Sequence, residues 1–258
     1  MRLMKRILSA AAVLALSASL LVGCSSGTAS SVPVSASSAA ESTVSSVEET
    51  ASSAVDENEA AAAQLLNDLT GSYQELWPVI LADEYKQTWL DVCTALVGED
   101  NAEAAFEKLS SMVTGDVYGE DAVKAYANGG GAYFCGFTNS LAILTFDGET
   151  STISGTDKDG NVLFSHPYHY IGMEPVRGLY EFQSDDADSG EFTYFFLAPD
   201  TSAETYHIEF RYGSDAEALS QYDTGEYAYW LASGISTDCD QTMIDNCIEL
   251  FCTENLAG

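Results

Sequence analysis

The chain has 258 residues, of which 46% are hydrophobic and 11% aromatic, and this is enough for one large domain with a buried core. Nine Lys and Arg stand against 40 Asp and Glu, so the formal net charge is −31. A surface this acidic repels phosphate groups. The composition therefore excludes nucleic-acid binding, and it excludes docking on anionic lipid through a basic patch.

The N-terminal residues have the pattern of an export signal. Arg2, Lys5 and Arg6 precede an apolar run that ends at Cys24. A charged start, an apolar stretch and small residues at the cut are typical of a secretory signal. Leu-Val-Gly-Cys resembles the bacterial lipobox, which implies cleavage before Cys24 and lipid attachment to it. We expect a lipoprotein signal peptide over 1–23 and a protein anchored on the extracellular side of the bacterial cell membrane.

Residues 24–59 are rich in Ser and Ala and contain no Lys, Arg or aromatic residue. Such a composition cannot bury enough apolar surface to offset the entropy lost on ordering. We therefore expect a disordered Ser-rich linker over 24–59. The folded domain would follow it, over 60–258.

The first half of this domain has helical periodicity. Leucines recur on one side of 60–69, and Gly71 is placed to end that helix. Pro78 marks a start or break inside the next helical stretch. Apolar residues at helical spacing predict further helices over 73–97, 101–113, 121–127, 215–220 and 242–252.

From residue 132 onward the pattern favours short β-strands. Asp147-Gly148 and Asp159-Gly160 are hairpin signals. Runs of β-branched and aromatic residues predict strands over 132–138, 141–146, 150–156, 162–171, 179–183, 192–197 and 205–212. Short antiparallel strands at regular spacing indicate a closed barrel or a sandwich. The expected class is thus mainly β with flanking helices.

The cysteines leave the disulfide pattern open. Five follow the candidate lipidation site: Cys93, Cys135, Cys239, Cys247 and Cys252. An odd number leaves at least one thiol unpaired, and buried thiols and one or two disulfides are equally compatible with the spacing. Because no Cys-x-x-Cys occurs, the sequence does not support a thiol zinc site or a thioredoxin-like centre.

Motifs of common enzyme classes are missing from the sequence. It has no Gly-x-Ser-x-Gly, no phosphate-binding loop and no His-Glu-x-x-His. The triplets that begin at Asp188 and Asp223 resemble aspartic protease motifs, but the first follows an acidic turn and the two are only 35 residues apart. We therefore expect turns at both places and no enzyme activity.

The histidines are the remaining candidate site residues. His207 and Glu209 are two apart in a predicted strand, so both side chains point to one face. Imidazole and carboxylate are ligands that Zn²⁺ uses, although an isolated His-x-Glu is more often part of a solvated strand face. His166 and His169 are three apart, so a strand directs them to opposite faces.

Several segments occur in the order in which a known family has them. They are Leu69-Thr70 with Tyr73–Trp77, Tyr168–Gly172, Arg177–Glu181, Ala198-Pro199, and Tyr206–Phe210 with Gly213. Over about residues 69–235 the chain resembles the ZinT (YodA) family of extracytoplasmic metal-binding proteins. The resemblance implies a lipocalin-like (calycin) antiparallel β-barrel with flanking N-terminal and C-terminal helices. It also implies zinc binding and hand-off to a zinc ABC importer.

The metal ligands depart from the pattern of that family. The resemblance places two family histidines on a His-x-His strand and a third on the preceding strand. Here His207 matches the first, Glu209 replaces the second, and Phe195 stands at the third position. A third ligand would have to come from elsewhere, with His169 as the first candidate and His166 as the second.

Two functions follow from this altered ligand set. The first is a monomeric, surface-anchored lipoprotein that binds a divalent metal, with zinc the expected ion, for uptake or homeostasis. The alternative is a barrel without metal that binds a small organic ligand or a partner protein. A simple hairpin with its turn at 198–203 would place Tyr194 opposite His207. The acidic surface would concentrate cations without selectivity.

Overall fold

Eight antiparallel strands form a closed barrel, in which each strand pairs with the next along the chain and the first pairs with the last. They are β1 (Gly71–Glu75), β2 (Ile143–Asp147), β3 (Thr152–Thr156), β4 (Val162–Met173), β5 (Tyr180–Ser184), β6 (Tyr194–Leu197), β7 (His207–Gly213) and β8 (Ala232–Ser236). The closed barrel with flanking helices confirms the expected fold class.

This computed structural model describes residues 57–199 and 207–256, which belong to one unit, Glu49–Gly258. The expectations for the signal peptide, for lipid attachment at Cys24 and for most of the linker lie outside the described residues.

Helices stand before, between and after the strands along the chain. They are α1 (57–68), α2 (Leu76–Ile80), α3 (Lys86–Val97), α4 (Glu99–Val113), α5 (Glu120–Ala127), α6 (Ala216–Leu219) and α7 (Gln241–Leu256). Among the described residues, no helix combines the length and apolar character needed to cross a membrane.

The barrel interior is filled by aromatic side chains. Along β7, Phe210 and Tyr212 alternate with outward residues and are fully buried. The ring of Phe195 on β6 lies 5.4 Å from that of Tyr212 and 5.8 Å from that of Phe164 on β4, measured between centroids. Contacts thus run across the barrel from β4 to β7, and the interior is a packed core.

A second apolar cluster lies between the outside of the barrel and the helices. It includes Trp89 and Cys93 of α3, Leu109 of α4 and Ile248 of α7. Ile235 of β8 also belongs to it, so the helices cover the outer face of that strand. The barrel wall is consequently buried on both sides at this point.

Two closing strands of the barrel differ from the sequence prediction. Residues 73–75 were predicted as helix but lie in β1, and the helix begins only at Leu76. Pro78 stands in the first turn of α2, where an amide N–H has no partner within the helix. β8 was not predicted, because its sequence Ala-Ser-Gly-Ile-Ser is buried on both faces and shows no polar alternation.

The predicted strand over 132–138 is wrong. Within the described part of the chain, this segment makes isolated bridges from Phe134 to Thr114 and to Trp230 and joins no ladder. Gly136 lies close to other groups, since an added Cβ would approach the Glu75 carboxylate to 2.9 Å. The segment therefore packs against the end of β1 instead of pairing along a strand.

The Asp147-Gly148 hairpin is confirmed, but glycine is needed there for space. β2 ends at Asp147, and in the loop that follows Ser151 has the positive φ, of 52°. A Cβ on Gly148 would lie 2.4 Å from the Cα of Asn67 and 2.7 Å from the carbonyl oxygen of Leu66. The end of α1 therefore rests directly on this loop.

We expect Gly148→Ala to lower the free energy of unfolding by about 1–3 kcal/mol, because the new methyl group collides with backbone atoms. Urea denaturation of the full chain measures this change. Gly172→Ala on β4 is the matched control, since the nearest atom there is 3.8 Å away and we expect a change below about 0.5 kcal/mol. Equal effects of the two substitutions would contradict the close approach of α1.

Candidate functional site

The outer face of β7 carries three polar side chains in a row: His207, Glu209 and Arg211. The intervening residues Ile208 and Phe210 belong to the core of the barrel. This alternation confirms that His207 and Glu209 share one face. Their Cα atoms are two residues apart, roughly 6.8 Å along the strand.

A small cavity lies between β7, α2 and α7, on the outside of the barrel wall. Its volume is about 40 Å³, room for roughly two or three water molecules. Its lining consists of Leu76, Trp77, Ile80, His207, Glu209, Cys247, Leu250, Phe251 and Glu254. Two turns of α7 separate Cys247 from Glu254, so both lie on the side of the helix that faces His207 and Glu209. The cavity therefore joins polar groups of β7 to polar groups of the C-terminal helix.

The groups around the cavity differ in burial. His207 and Glu209 are half-buried, Cys247 is buried and Glu254 is exposed. Burial, with a smaller contribution from Cys239, raises the pKa of the Cys247 thiol to about 12. This thiol is therefore protonated near neutral pH, and a metal would have to displace its proton.

A second thiol, that of Cys135, lies near Glu209. Burial raises the pKa of Cys135 to about 12, and the charge of Glu209 adds to this shift. The backbone amide of Ser233, which pairs with Glu209 in the β7–β8 ladder, donates a hydrogen bond to the carbonyl oxygen of Cys135. A buried, neutral thiol therefore lies near Glu209.

The structure does not bring the predicted third ligand to this pair. His169 lies on β4, and β5 and β6 stand between that strand and β7. Its side chain is 52% exposed, and its Nδ1 lies 2.6 Å from Asp185 Oδ1. His166, the second candidate, faces the other side of β4, with its Nδ1 2.7 Å from Asp186 Oδ2.

The cavity fits zinc in donor chemistry and less well in geometry. Imidazole, carboxylate and thiol are all zinc ligands. Among the described residues, however, no three His, Cys, Asp or Glu side chains converge closely enough to hold a metal ion. The site consists of two metal-binding side chains on β7, His207 and Glu209, and two more on α7 across the cavity, Cys247 and Glu254.

The expected neighbour of His207 is also different. Tyr194 pairs with Gly213, at the far end of β7, and Leu197 pairs with Phe210. β6 thus ends before His207 is reached. In the opposite ladder His207 pairs with Ile235 of β8. No phenol from β6 adjoins the pair within the described residues.

Arg211 continues the polar row but is enclosed by protein. Its guanidinium is fully buried and donates to the carbonyl oxygens of Leu219, Gln221 and Tyr227. It also lies 4.4 Å from the centre of the Tyr222 ring. Burial lowers the pKa of Arg211 to about 10, so it stays charged at neutral pH. The residue clamps the segment after β7 onto the barrel.

We expect Arg211→Met to lower the free energy of unfolding by about 2–4 kcal/mol, because it leaves buried carbonyl groups without donors. The midpoint and slope of urea unfolding would report the loss. Arg177→Met is the comparison, since Arg177 stacks on the same ring but is partly exposed. If both variants unfolded at the same midpoint, the clamp would not be the reason for burying Arg211.

Sequence reasoning did not identify Cys247 and Glu254 as site residues. Their spacing of seven places two donors on one side of a helix, and this was the available signal. The predicted helix ended at residue 252, before Glu254. Which strand a C-terminal helix covers depends on tertiary packing, which a single sequence does not state.

The fold and this cavity define the class of the protein: a closed eight-stranded antiparallel barrel whose outer wall, under the C-terminal helix, carries a small cavity lined by apolar and polar side chains. No family model matches the sequence, and no curated protein matches it. Membership of the ZinT family therefore remains a prediction.

Solved structures do resemble the chain. One is the Zn(II)-bound ZinT-like domain of Streptococcus pneumoniae AdcA, with 14% identity and a TM-score of 0.44 over 70% of this chain and 87% of that one. Another is Zn(II)-bound AdcA from the same organism, with 13% identity and a TM-score of 0.41 over 71% of this chain and 34% of that one. At this level of likeness, the fold assignment comes from the strand order and register of this chain.

Proposed function

We propose that this protein is a lipid-anchored extracellular protein of bacteria that binds a divalent metal ion, zinc in particular, at the cavity between β7, α2 and α7. The anchor would be Cys24. Uptake or homeostasis of the ion, with hand-off to a zinc ABC importer, is the role that the sequence resemblance implies. The proposal includes no catalytic step.

The observation that carries the proposal is the set of donors around one cavity. His207 and Glu209 approach from β7, and Cys247 and Glu254 approach from α7. All four are side chains that bind zinc, and they come from two separate elements. A volume of about 40 Å³ has room for an ion with its water.

His207 and Glu209 of β7 would supply two ligands, and α7 would supply the third. Glu254 is exposed and can change rotamer without disturbing the core, whereas Cys247 would have to lose a proton. We therefore assign the third position to Glu254. The net charge of −31 would raise the local concentration of cations but would not select among them.

The alternative of an organic ligand inside the barrel is less well supported. The interior is occupied by buried aromatic rings that contact one another from β4 to β7, as in the pairs of Phe195 with Phe164 and Tyr212. A ligand would have to displace these rings, and a close-packed core resists such changes. An ion in the cavity on the outside would displace no ring of this core.

Calorimetric titration of the metal-stripped full chain with Zn²⁺ tests the proposal. We expect one site, weakened on the order of tenfold or more, about 1.4 kcal/mol, in His207→Ala and in Glu209→Gln. Glu254→Gln should weaken it as well. Cys247→Ser should have a smaller effect, because the ion would first have to displace the thiol proton.

His169→Ala is the matched control, since it removes an exposed histidine from a different strand and should leave the affinity unchanged. Weak, salt-sensitive binding that persists in His207→Ala would mean that the acidic surface alone attracts the ion. A loss in His169→Ala would return the third ligand to β4 and overturn the assignment to α7.

A further inference from the structure

Two buried cysteines meet where the C-terminal helix crosses α3. Cys93 of α3 and Cys252 of α7 are both 0% exposed, and their Sγ atoms are 4.0 Å apart. No disulfide joins any of the five cysteines within the described residues. The two residues are 159 positions apart in sequence, so their contact comes from tertiary packing.

We propose that Cys93 and Cys252 form a disulfide bond when the protein folds in an oxidising compartment. A disulfide has an S–S length of about 2.05 Å, so the two sulfur atoms have to close by roughly 2 Å. Both thiols already approach each other inside one apolar cluster, which also contains Trp89. Rotation of the two side chains with a small adjustment of the helices would close this gap.

The bond forms by exchange with an oxidised dithiol carrier or oxidised glutathione. One cysteine thiolate attacks a sulfur of the carrier disulfide and releases the other carrier sulfur as a thiol. The second cysteine then attacks the mixed disulfide. In sum, two electrons and two protons pass from Cys93 and Cys252 to the carrier, which leaves as two thiols. Because both cysteines are fully buried after folding, we place the reaction during folding.

The bond would fix α7 to the body of the protein at one end of a very long loop. A cross-link between distant residues stabilises mainly by restricting the unfolded chain, and more so for long loops. α7 is also the helix that carries Cys247 and Glu254, so the cross-link would hold one wall of the cavity. This role does not depend on whether the cavity binds a metal.

Refolding of the reduced full chain in a glutathione redox buffer, followed by alkylation in denaturant and peptide mapping, tests the proposal. Trypsin cannot assign the bond, since the chain has no Lys or Arg after Arg211. A protease that cleaves after Asp and Glu separates Cys247 from Cys252 at Glu249. We expect one linked peptide pair containing Cys93 and Cys252, which reductant splits.

Thermal unfolding provides a second measurement. The oxidised chain should unfold on the order of 5–15 °C above the reduced chain, and Cys93→Ala and Cys252→Ala should each abolish this difference. Cys239→Ala, at a half-buried position, should retain it. Full alkylation of Cys93 and Cys252 in refolded wild-type protein, or a link from either to another cysteine, would overturn the proposal without recourse to any variant.

Discussion

Pairing of β1 with β8 closes the barrel, and the rest of the structure depends on it. β1 continues directly into α2 at Leu76, and β8 is followed after four residues by α7 at Gln241. The two closing strands thus each lead to a helix, and side chains of both helices enter the second apolar cluster. Because a closed barrel has no free strand edge, these helices cover side chains on its outside and do not protect an edge. Closure of the barrel therefore determines where the second apolar cluster forms.

The position of the candidate site follows from this arrangement. β7 is the neighbour of β8, so its outer face lies at the border of the region that α2 and α7 cover. Inward, β7 contributes aromatic rings to the packed interior; outward, it presents His207 and Glu209 to the cavity and Arg211 to the segment that follows the strand. Three carbonyl oxygens accept hydrogen bonds from the two terminal nitrogens of the arginine, which offsets much of the cost of burying it. His207 and Glu209 remain half-buried beside the cavity.

Local patterns predicted the parts of this structure that depend on local geometry. The hairpin strands, the helix over 101–113 and the shared face of His207 and Glu209 follow from periodicity within one element. β1 was not predicted because its few residues adjoin a helix. β8 was not predicted because its small residues are buried on both sides and show no polar alternation. The third ligand is a question of strand order and helix packing. Nothing in the spacing of His169 shows that two strands separate it from β7, or that α7 lies there instead.

The helix α7 takes part in both the cysteine contact with α3 and the cavity beside β7. Cys252 meets α3 in the outer core, while Cys247 and Glu254 line the cavity with β7. An ion held jointly by β7 and α7 would bind the folded chain and not the unfolded one, which adds about 2.7 kcal/mol of stability at a concentration one hundred times the Kd. In a chain with 40 acidic and nine basic residues, self-repulsion opposes the compact state. A cation placed between Glu209 and Glu254 would oppose that repulsion at the point where the last helix joins the barrel.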